Sequence, residues 1–245
     1  MQQAKLLFQR YEKKYLLSEA QYNQIIEAIR EKMVPDAHAR YSIKNIYFDT
    51  ENYDLIRTSV DGADYKEKLR LRAYGNWDRN TNNRVFLEIK KKYDGIVYKR
   101  RIGMSFIDAM FYIFSGERPE GMTELETSEF DFFLKRHHIV NRTVLTYDRE
   151  AYAAADGGEL RITFDTNIRY QTEDFSFDEK QAAEQVPVMG VLMEIKNPMS
   201  MPLWVAQMLS KYQIRPFSFS KYGTVYKNSI LKEERRCSVQ LSAQV

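Results

Sequence analysis

Lys68, Arg70 and Arg72 fall on alternate residues of the window KEKLRLRAY, with Leu69, Leu71 and Ala73 between them. In RVFLEIKKKYDGIVYKRRI the pattern repeats at Glu88, Lys90 and Lys92, then, across a turn at Asp94-Gly95, at Lys99 and Arg101. A β-strand alternates faces with period two, so these charges converge on one surface of one sheet. Like charges on neighbouring strands repel. A sheet that stacks them expects a polyanion to neutralise them.

The elements that must hold these cations can be read along the chain. A strand is expected over about 5–15, with Arg10, Glu12 and Lys14 on one face. Ser18 then has the type and place of an N-cap for a helix to about Met33, apolar at Ala20, Ile25, Ile26 and Ile29 and stopped by Pro35. YSIKNIYFDT reads as a strand, followed by a short segment to a turn at Asp61-Gly62. The basic strands come next, the last two paired as a hairpin through Asp94-Gly95. SFIDAMFYIFSG, opened by Ser105 and closed by Gly116, and TSEFDFFLKRHH are expected helices. Strands resume at RTVLTYDREAY and ELRITFDTNIRY, joined by Gly157-Gly158, and at PVMGVLMEIKN. MPLWVAQMLSKYQ, started by Pro202, and SKYGTVYKNSILKEER complete the chain as helices.

The leucines of the basic strands need covering, and the apolar helices are available for that. The cationic faces then point at water. Two α+β architectures meet these demands: an antiparallel barrel with helices outside and a wet, charged lumen, or an open sheet with one solvated face. The density of Arg and Lys favours the barrel, because a plain solvated face mixes signs with Thr and Ser.

A length of 245 residues suits one large domain or two small ones, and is taken here as a single domain, 1–245, with a frayed tail from about 232. The net charge is +3, too small for a tail-driven nucleic-acid binder, so the placement of charge matters more than its sum. Cys237 stands alone, which excludes an internal disulfide and fits a reducing cytosol. No apolar run reaches the roughly 18 residues of a membrane span, and MQQAKLLFQRYEKKY is charged too early for a signal peptide. A cytoplasmic protein without a membrane segment is the expectation.

RYEKKY, SIKNIYFDT, KLRLRAY, FLEIKKK followed by KRR, LTYDREAY, RITFDT, MEIK and FSFSKY occur in this order over about 5–230. In that order and spacing the chain resembles the VTC-type polyphosphate polymerase domain of the triphosphate tunnel (CYTH-like) metalloenzymes. The resemblance implies an eight-stranded antiparallel tunnel that extends inorganic polyphosphate with the terminal phosphate of ATP, using manganese or magnesium. It assigns phosphate binding and catalysis to Arg70, Arg72, Lys90, Arg149 and Lys221. It assigns ATP and phosphate contacts to Lys14, Lys99, Tyr147 and Ser220, with Arg101 beside Lys99 and Arg161 on a neighbouring strand. Glu194 would bind the metal, with Glu88 and Glu12 as further acids on inward faces. One departure is Arg10, which stands where other tunnel enzymes carry the first glutamate of E-x-E-x-K. That departure disfavours a two-metal triphosphatase and is shared by the polymerase branch.

Phosphoryl transfer suits these residue types. It needs phosphates held in line and charge on the equatorial oxygens stabilised, with little covalent help from protein. Arginine's planar fork binds two phosphate oxygens at once and stays charged when buried. A few carboxylates suffice to hold a hard divalent ion. Duller readings stand beside these. Lys90 and Lys92 could mark a solvated strand edge, Glu12 could pair with Arg10 or Lys14, and Asp165 could be an ion-pair partner of Arg161. His137 and His138 suit a helix end, and Trp77 could stack a base at a tunnel mouth. A tunnel triphosphatase and a non-catalytic polyphosphate-binding module are the competing functions; intact Arg149, Glu194 and Lys221 speak against the latter. The expected partners are ATP and inorganic polyphosphate or pyrophosphate. Nucleic acid is not expected, because no RNP-type aromatics interleave with the bases.

Overall fold

The computed structural model describes residues 11–78, 84–94, 96–178, 183–198 and 200–232. Arg10, Gly95 and Cys237 lie outside these residues, as does the expected tail beyond 232. The chain divides into two compact units. One holds the described residues of Met1–Tyr41, Tyr147–Asn167 and Val188–Phe219; the other holds those of Ser42–Thr146, Ile168–Pro187 and Ser220–Val245.

The chain opens with strand β1 (Tyr11–Leu17) and helix α1 (Glu19–Ile29). Ser18 caps the helix as expected, accepting from Gln21 N while the Gln21 side chain returns to the Ser18 N–H. Such a reciprocal cap is worth about 1 kcal/mol. The helix stops at Arg30 without help from Pro35, which lies instead in the exposed start of β2 (Met33–Asp49). A proline gives up one ladder donor and is best tolerated near the first residues of a strand, where Pro35 stands. The short segment before the Asp61-Gly62 turn, given no conformation from sequence, is helix α2 (Asp54–Val60). Strands β3 (Tyr65–Tyr74), β4 (Arg84–Tyr93) and β5 (Ile96–Ser105) follow, then helices α3 (Phe106–Ser115) and α4 (Glu124–Arg136). Helix α4 starts three residues before the expected segment, because Thr123 and Glu126 form a capping box. Next come β6 (Val140–Ala154), β7 (Arg161–Gln171), the two-residue β8 (Glu184–Gln185), which no sequence pattern announced, and β9 (Val191–Asn197). The end carries α5 (Leu203–Lys211), α6 (Lys221–Val225) and a π-helical turn, Tyr226–Ile230.

The strands hydrogen-bond in the order β1-β9-β7-β6-β2-β3-β4-β5, with β8 on β7. The pairs β1–β9, β2–β3, β3–β4, β4–β5, β7–β8 and β7–β9 are all antiparallel. This corrects the barrel expectation: among the described residues β1 and β5 end the order unpaired with each other, so the sheet is not closed. The second edge of β1 is taken by its own unit, where Tyr15 bridges Pro216 and Phe217 N donates to Lys14 O at 2.7 Å.

Each unit has its own core. In the first, Tyr15, Leu17, Ile162, Phe164, Met193 and Ile195 form the inner faces of β1, β7 and β9, covered by Ile25 and Ile29 of α1 and Val205 and Met208 of α5. Gly190, at φ 125°, makes the entry to β9 possible; a Cβ there would sit 2.2 Å from Leu17 O. In the second, Leu69, Leu71, Leu87 and Ile89 are fully buried beneath Ala109, Tyr112 and Ile113 of α3 and Phe130 and Phe133 of α4. That is the covering the alternation demanded. Trp77 belongs to this core too, edge-on to Phe106 and Phe177 with ring centroids at 5.2 and 4.9 Å, so its indole is used in packing.

Candidate functional site: two charged strand faces

In the second unit the β3–β4–β5 register fixes how the cations meet. Tyr47 of β2 lies opposite Arg70, Arg70 opposite Glu88, and Glu88 opposite Arg101. One step along, Lys68 lies opposite Lys90 and Lys90 opposite Lys99. One step the other way, Asn45 lies opposite Arg72. Glu88 is 1% exposed and takes nearly all of this charge. Arg70 Nε donates to its Oε2 at 2.7 Å and Arg101 Nε to its Oε1 at 2.6 Å. Lys99 Nζ stands 2.7 Å from Oε1, and Arg72 Nε is 3.9 Å from Oε2. Burial alone would push the Glu88 carboxyl up; Arg70, Arg72 and Lys99 outweigh it and hold the group well below the usual carboxylate range. Glu88 is therefore an anchor for cations in this arrangement.

A ring of neutral groups orients the guanidinium forks. Arg72 Nε donates to Asn45 Oδ1 at 2.8 Å, and Asn45 Nδ2 donates to Leu145 O at 3.2 Å. Arg70 Nη1 donates to the Tyr47 hydroxyl at 3.2 Å, and Arg101 Nη2 to that of Tyr74 at 2.6 Å. Tyr47 stacks on Tyr222 with centroids 4.8 Å apart, and the Tyr222 hydroxyl donates to Asp49 at 3.1 Å. Ser220 caps α6, accepting from Gly223 N, and also accepts from Lys68 Nζ at 3.0 Å. Lys221 follows as the first residue of that helix. Burial lowers the Lys99 ammonium most; Glu88 opposes that, Arg70 and Arg72 add to it, and the pKa comes to about 7.

In the first unit a second lattice spans β1, β9 and β7. Lys14 lies opposite Glu194 and Glu194 opposite Thr163; beside them Glu12 lies opposite Lys196 and Lys196 opposite Arg161. Arg149 grips Asp165 through two bonds, Nε to Oδ1 at 2.7 Å and Nη2 to Oδ2 at 2.8 Å, with Glu194 Oε2 4.0 Å away. Its guanidinium lies 5.5 Å from the centre of the Tyr147 ring. Asp165 is thus an ion-pair partner, but of Arg149; Arg161 pairs with Asp36 at the outer end of the strand. Lys14 Nζ donates to Phe219 O at 3.0 Å. Burial would raise the Glu194 carboxyl, yet Lys196 at 3.0 Å, a hydrogen bond shared with Glu12, Lys14 and Arg149 hold it well below the usual range.

Every sequence-expected site residue therefore falls in one of two groups. Arg70, Arg72, Lys90, Lys99, Arg101, Ser220, Lys221 and Glu88 belong to the second unit; Lys14, Tyr147, Arg149, Arg161, Glu194 and Glu12 belong to the first. His137 is not a bare helix-end cation: its ring nitrogen meets Glu67 at 3.2 Å, and Arg136 meets the same carboxylate at 2.7 Å. Tyr47, Asn45, Tyr74 and Tyr222 escaped the sequence reading, although Asn45 and Tyr47 alternate in SIKNIYFDT as the basic residues do. A divalent cation could be held by Glu12 and Glu194. They are carboxyls on adjacent strands, each beside a lysine of the other strand, and such an ion is commonly held by one or two carboxylates plus phosphate oxygens. Among the described residues no cluster of three or more such ligands exists, and no helix is long and apolar enough to cross a membrane.

Two solved structures share the fold. A candidate adenylate cyclase from Bacillus halodurans superposes with a TM-score of 0.51 at 12% identity, covering 85% of this chain and 92% of its own. A candidate adenylyl cyclase from Hippeastrum, with a dominant triphosphatase activity, reaches 0.52 at 17% identity, covering 88% and 94%. In sequence, subunit 4 of the vacuolar transporter chaperone complex of Schizosaccharomyces pombe is 25% identical over 156 residues, 54% of this chain. The match spans 21% of that subunit's length. The VTC domain profile matches residues 9–230, and the chain belongs to the VTC domain family.

Proposed function

We propose that this chain is a metal-dependent polyphosphate polymerase, transferring the γ-phosphate of ATP to the end of a growing inorganic polyphosphate chain. One observation carries the reading. On the charged face of β3, β4 and β5, Lys68, Arg70, Arg72, Lys90, Lys99 and Arg101 stand in adjoining rows, and among the described residues there Glu88 is the one carboxylate. Three lysines directly opposite one another are unfavourable unless an anion joins them. A chain of phosphates supplies closely repeated negative charge, and arginine forks held by Glu88, Asn45 and Tyr47 are pre-set to receive it.

In the transfer, the bond between the γ-phosphorus and the β,γ-bridging oxygen breaks, and a terminal oxygen of the acceptor forms the new bond. ADP leaves with the electron pair. The acceptor oxygen is already ionised, so no side chain need act as general base. Arg149, oriented by Asp165 and by the Tyr147 ring, is assigned to the equatorial oxygens, where charge develops. Glu194 and Glu12 would hold manganese or magnesium, which supplies further neutralisation of phosphate charge. The S. pombe relative's place in a vacuolar transporter chaperone complex is consistent with polyphosphate as the ligand.

Incubation with ATP and manganese, followed by gel electrophoresis stained for polyphosphate, tests the proposal. Long chains with stoichiometric ADP are expected. Free phosphate without chains would make the protein a triphosphatase, and no turnover with retained polyphosphate binding would make it a binding module.

A further inference from the structure

Thr163 sits in the middle of the first unit's charged lattice. It is 6% exposed, and its hydroxyl has no hydrogen-bond partner among the described residues. Its neighbours in β7, Ile162 and Phe164, turn into the core at 0% and 1% exposure. Thr163 therefore lies on the other face, with Arg161 and Asp165. The register sets it directly across from Glu194, which lies across from Lys14.

A buried hydroxyl without a partner is unfavourable. Valine has the same shape, suits a strand at least as well and would avoid the cost. The groups around Thr163 narrow what its partner can be. The cations of this face have partners of their own: Arg149 is held by Asp165, Arg161 by Asp36 and Lys196 by Glu194, and Lys14 donates to Phe219 O. The face thus carries four cations beside the carboxylates Glu12, Glu194 and Asp165, and a phosphoryl oxygen seated among those cations would give the Thr163 hydroxyl the acceptor it lacks.

We propose that Thr163 is a further binding residue, its hydroxyl donating to a phosphoryl oxygen of the polyphosphate or nucleoside triphosphate held on this face. The inference rests on the phosphate-handling reading above and adds a residue to it. Neutral and compact, the hydroxyl reaches between the Lys14 and Arg149 strands without adding to cation crowding.

The test is calorimetric titration of tripolyphosphate, with EDTA present, into the parent protein, Thr163→Val and Thr163→Ser, alongside their ligand-free melting temperatures. The parent and Thr163→Ser should bind within about threefold of each other. Thr163→Val should bind about tenfold or more weakly, the loss expected for a hydrogen bond to a charged oxygen. Without ligand, Thr163→Val should melt at the parent temperature or roughly 2–4 °C above it, because an unpaired buried hydroxyl has gone. Weaker binding together with a lowered ligand-free melting temperature would mark a structural residue and overturn the proposal. Unchanged tripolyphosphate binding with weaker manganese binding in a separate titration would make the hydroxyl a metal ligand and overturn it too. A parent protein that ignores tripolyphosphate removes the phosphate reading itself, an outcome separate from a parent that binds as tightly as its valine variant.

Discussion

Glu88 receives four cations because β4 runs between β3 and β5, so a single buried carboxylate meets Arg70 on one side and Arg101 on the other. Removing Arg70 leaves that anchor with three cations and the core untouched. Arg70→Ala should therefore keep its circular dichroism and melting temperature while losing about a hundredfold or more in turnover, the usual loss for one donor to developing charge. Near-normal polymer synthesis by a folded Arg70→Ala protein would remove Arg70 from the site. Lys99 makes a second case. Its pKa of about 7 lies below that of a solvated lysine, and a bound polyanion favours the charged form. Affinity for tripolyphosphate should be full below that value and weaken as pH rises through it, with proton uptake on binding near neutrality. Lys99→Arg, charged throughout, should flatten this dependence; an equally steep profile in both proteins would assign it to another group. The cation positions were legible because side-chain alternation is local. The partners were not, since the meeting of Arg70 with Glu88 depends on a register set across strands, and Asp165 met Arg149 of the neighbouring strand rather than Arg161 of its own.

Helix α2 shows why elements can be hidden from sequence. Tyr53, at its N-cap, has φ 60° and offers no side-chain cap. The free N–H groups of Leu55 and Ile56 are taken instead by Asp49, at 2.9 and 3.0 Å, from the end of β2. The same carboxylate accepts from Thr50 N and from the Tyr222 hydroxyl. Burial pushes the Asp49 carboxyl up, and these four donors oppose that rise. Ser18 and Ser105, by contrast, cap helices from the adjoining residue and were readable at once. Because Tyr222 follows Ser220 and Lys221, Asp49 ties the start of α2 to the start of α6. Asp49→Ala strands several buried donors and should cost on the order of 3 kcal/mol, seen as a clear drop in melting temperature. Asp49→Asn, which keeps an acceptor, should recover part of it. Equal stability of the alanine variant and the parent would show that α2 is held by its packing at Leu55 and Ile56 alone.

At the scale of the molecule, alternation announced an antiparallel sheet covered by helices on its apolar face, and both units have that form. Closure into a barrel was not readable, because it depends on which edges meet, and period two says nothing of edges. The edge of β1 accepts Pro216 and Phe217, a contact between residues two hundred positions apart in sequence. What the sheet does retain is the cost of its charge. Lys68, Lys90 and Lys99 oppose one another on three strands, and this strain should be relieved by any bound polyanion. At a tripolyphosphate concentration one hundred times Kd, mass action adds about 2.7 kcal/mol, which raises the melting temperature by roughly 5–11 °C for a chain of this size. Lys90→Thr removes the middle charge and places a strand-favouring residue there, so its ligand-free melting temperature should exceed the parent's while its response to tripolyphosphate shrinks. The two shifts must have opposite signs if the lysine row is a binding surface. A variant less stable than the parent, or one that responds to tripolyphosphate as fully as the parent does, would leave these lysines as a solvated strand surface and would move phosphate recognition elsewhere in the chain.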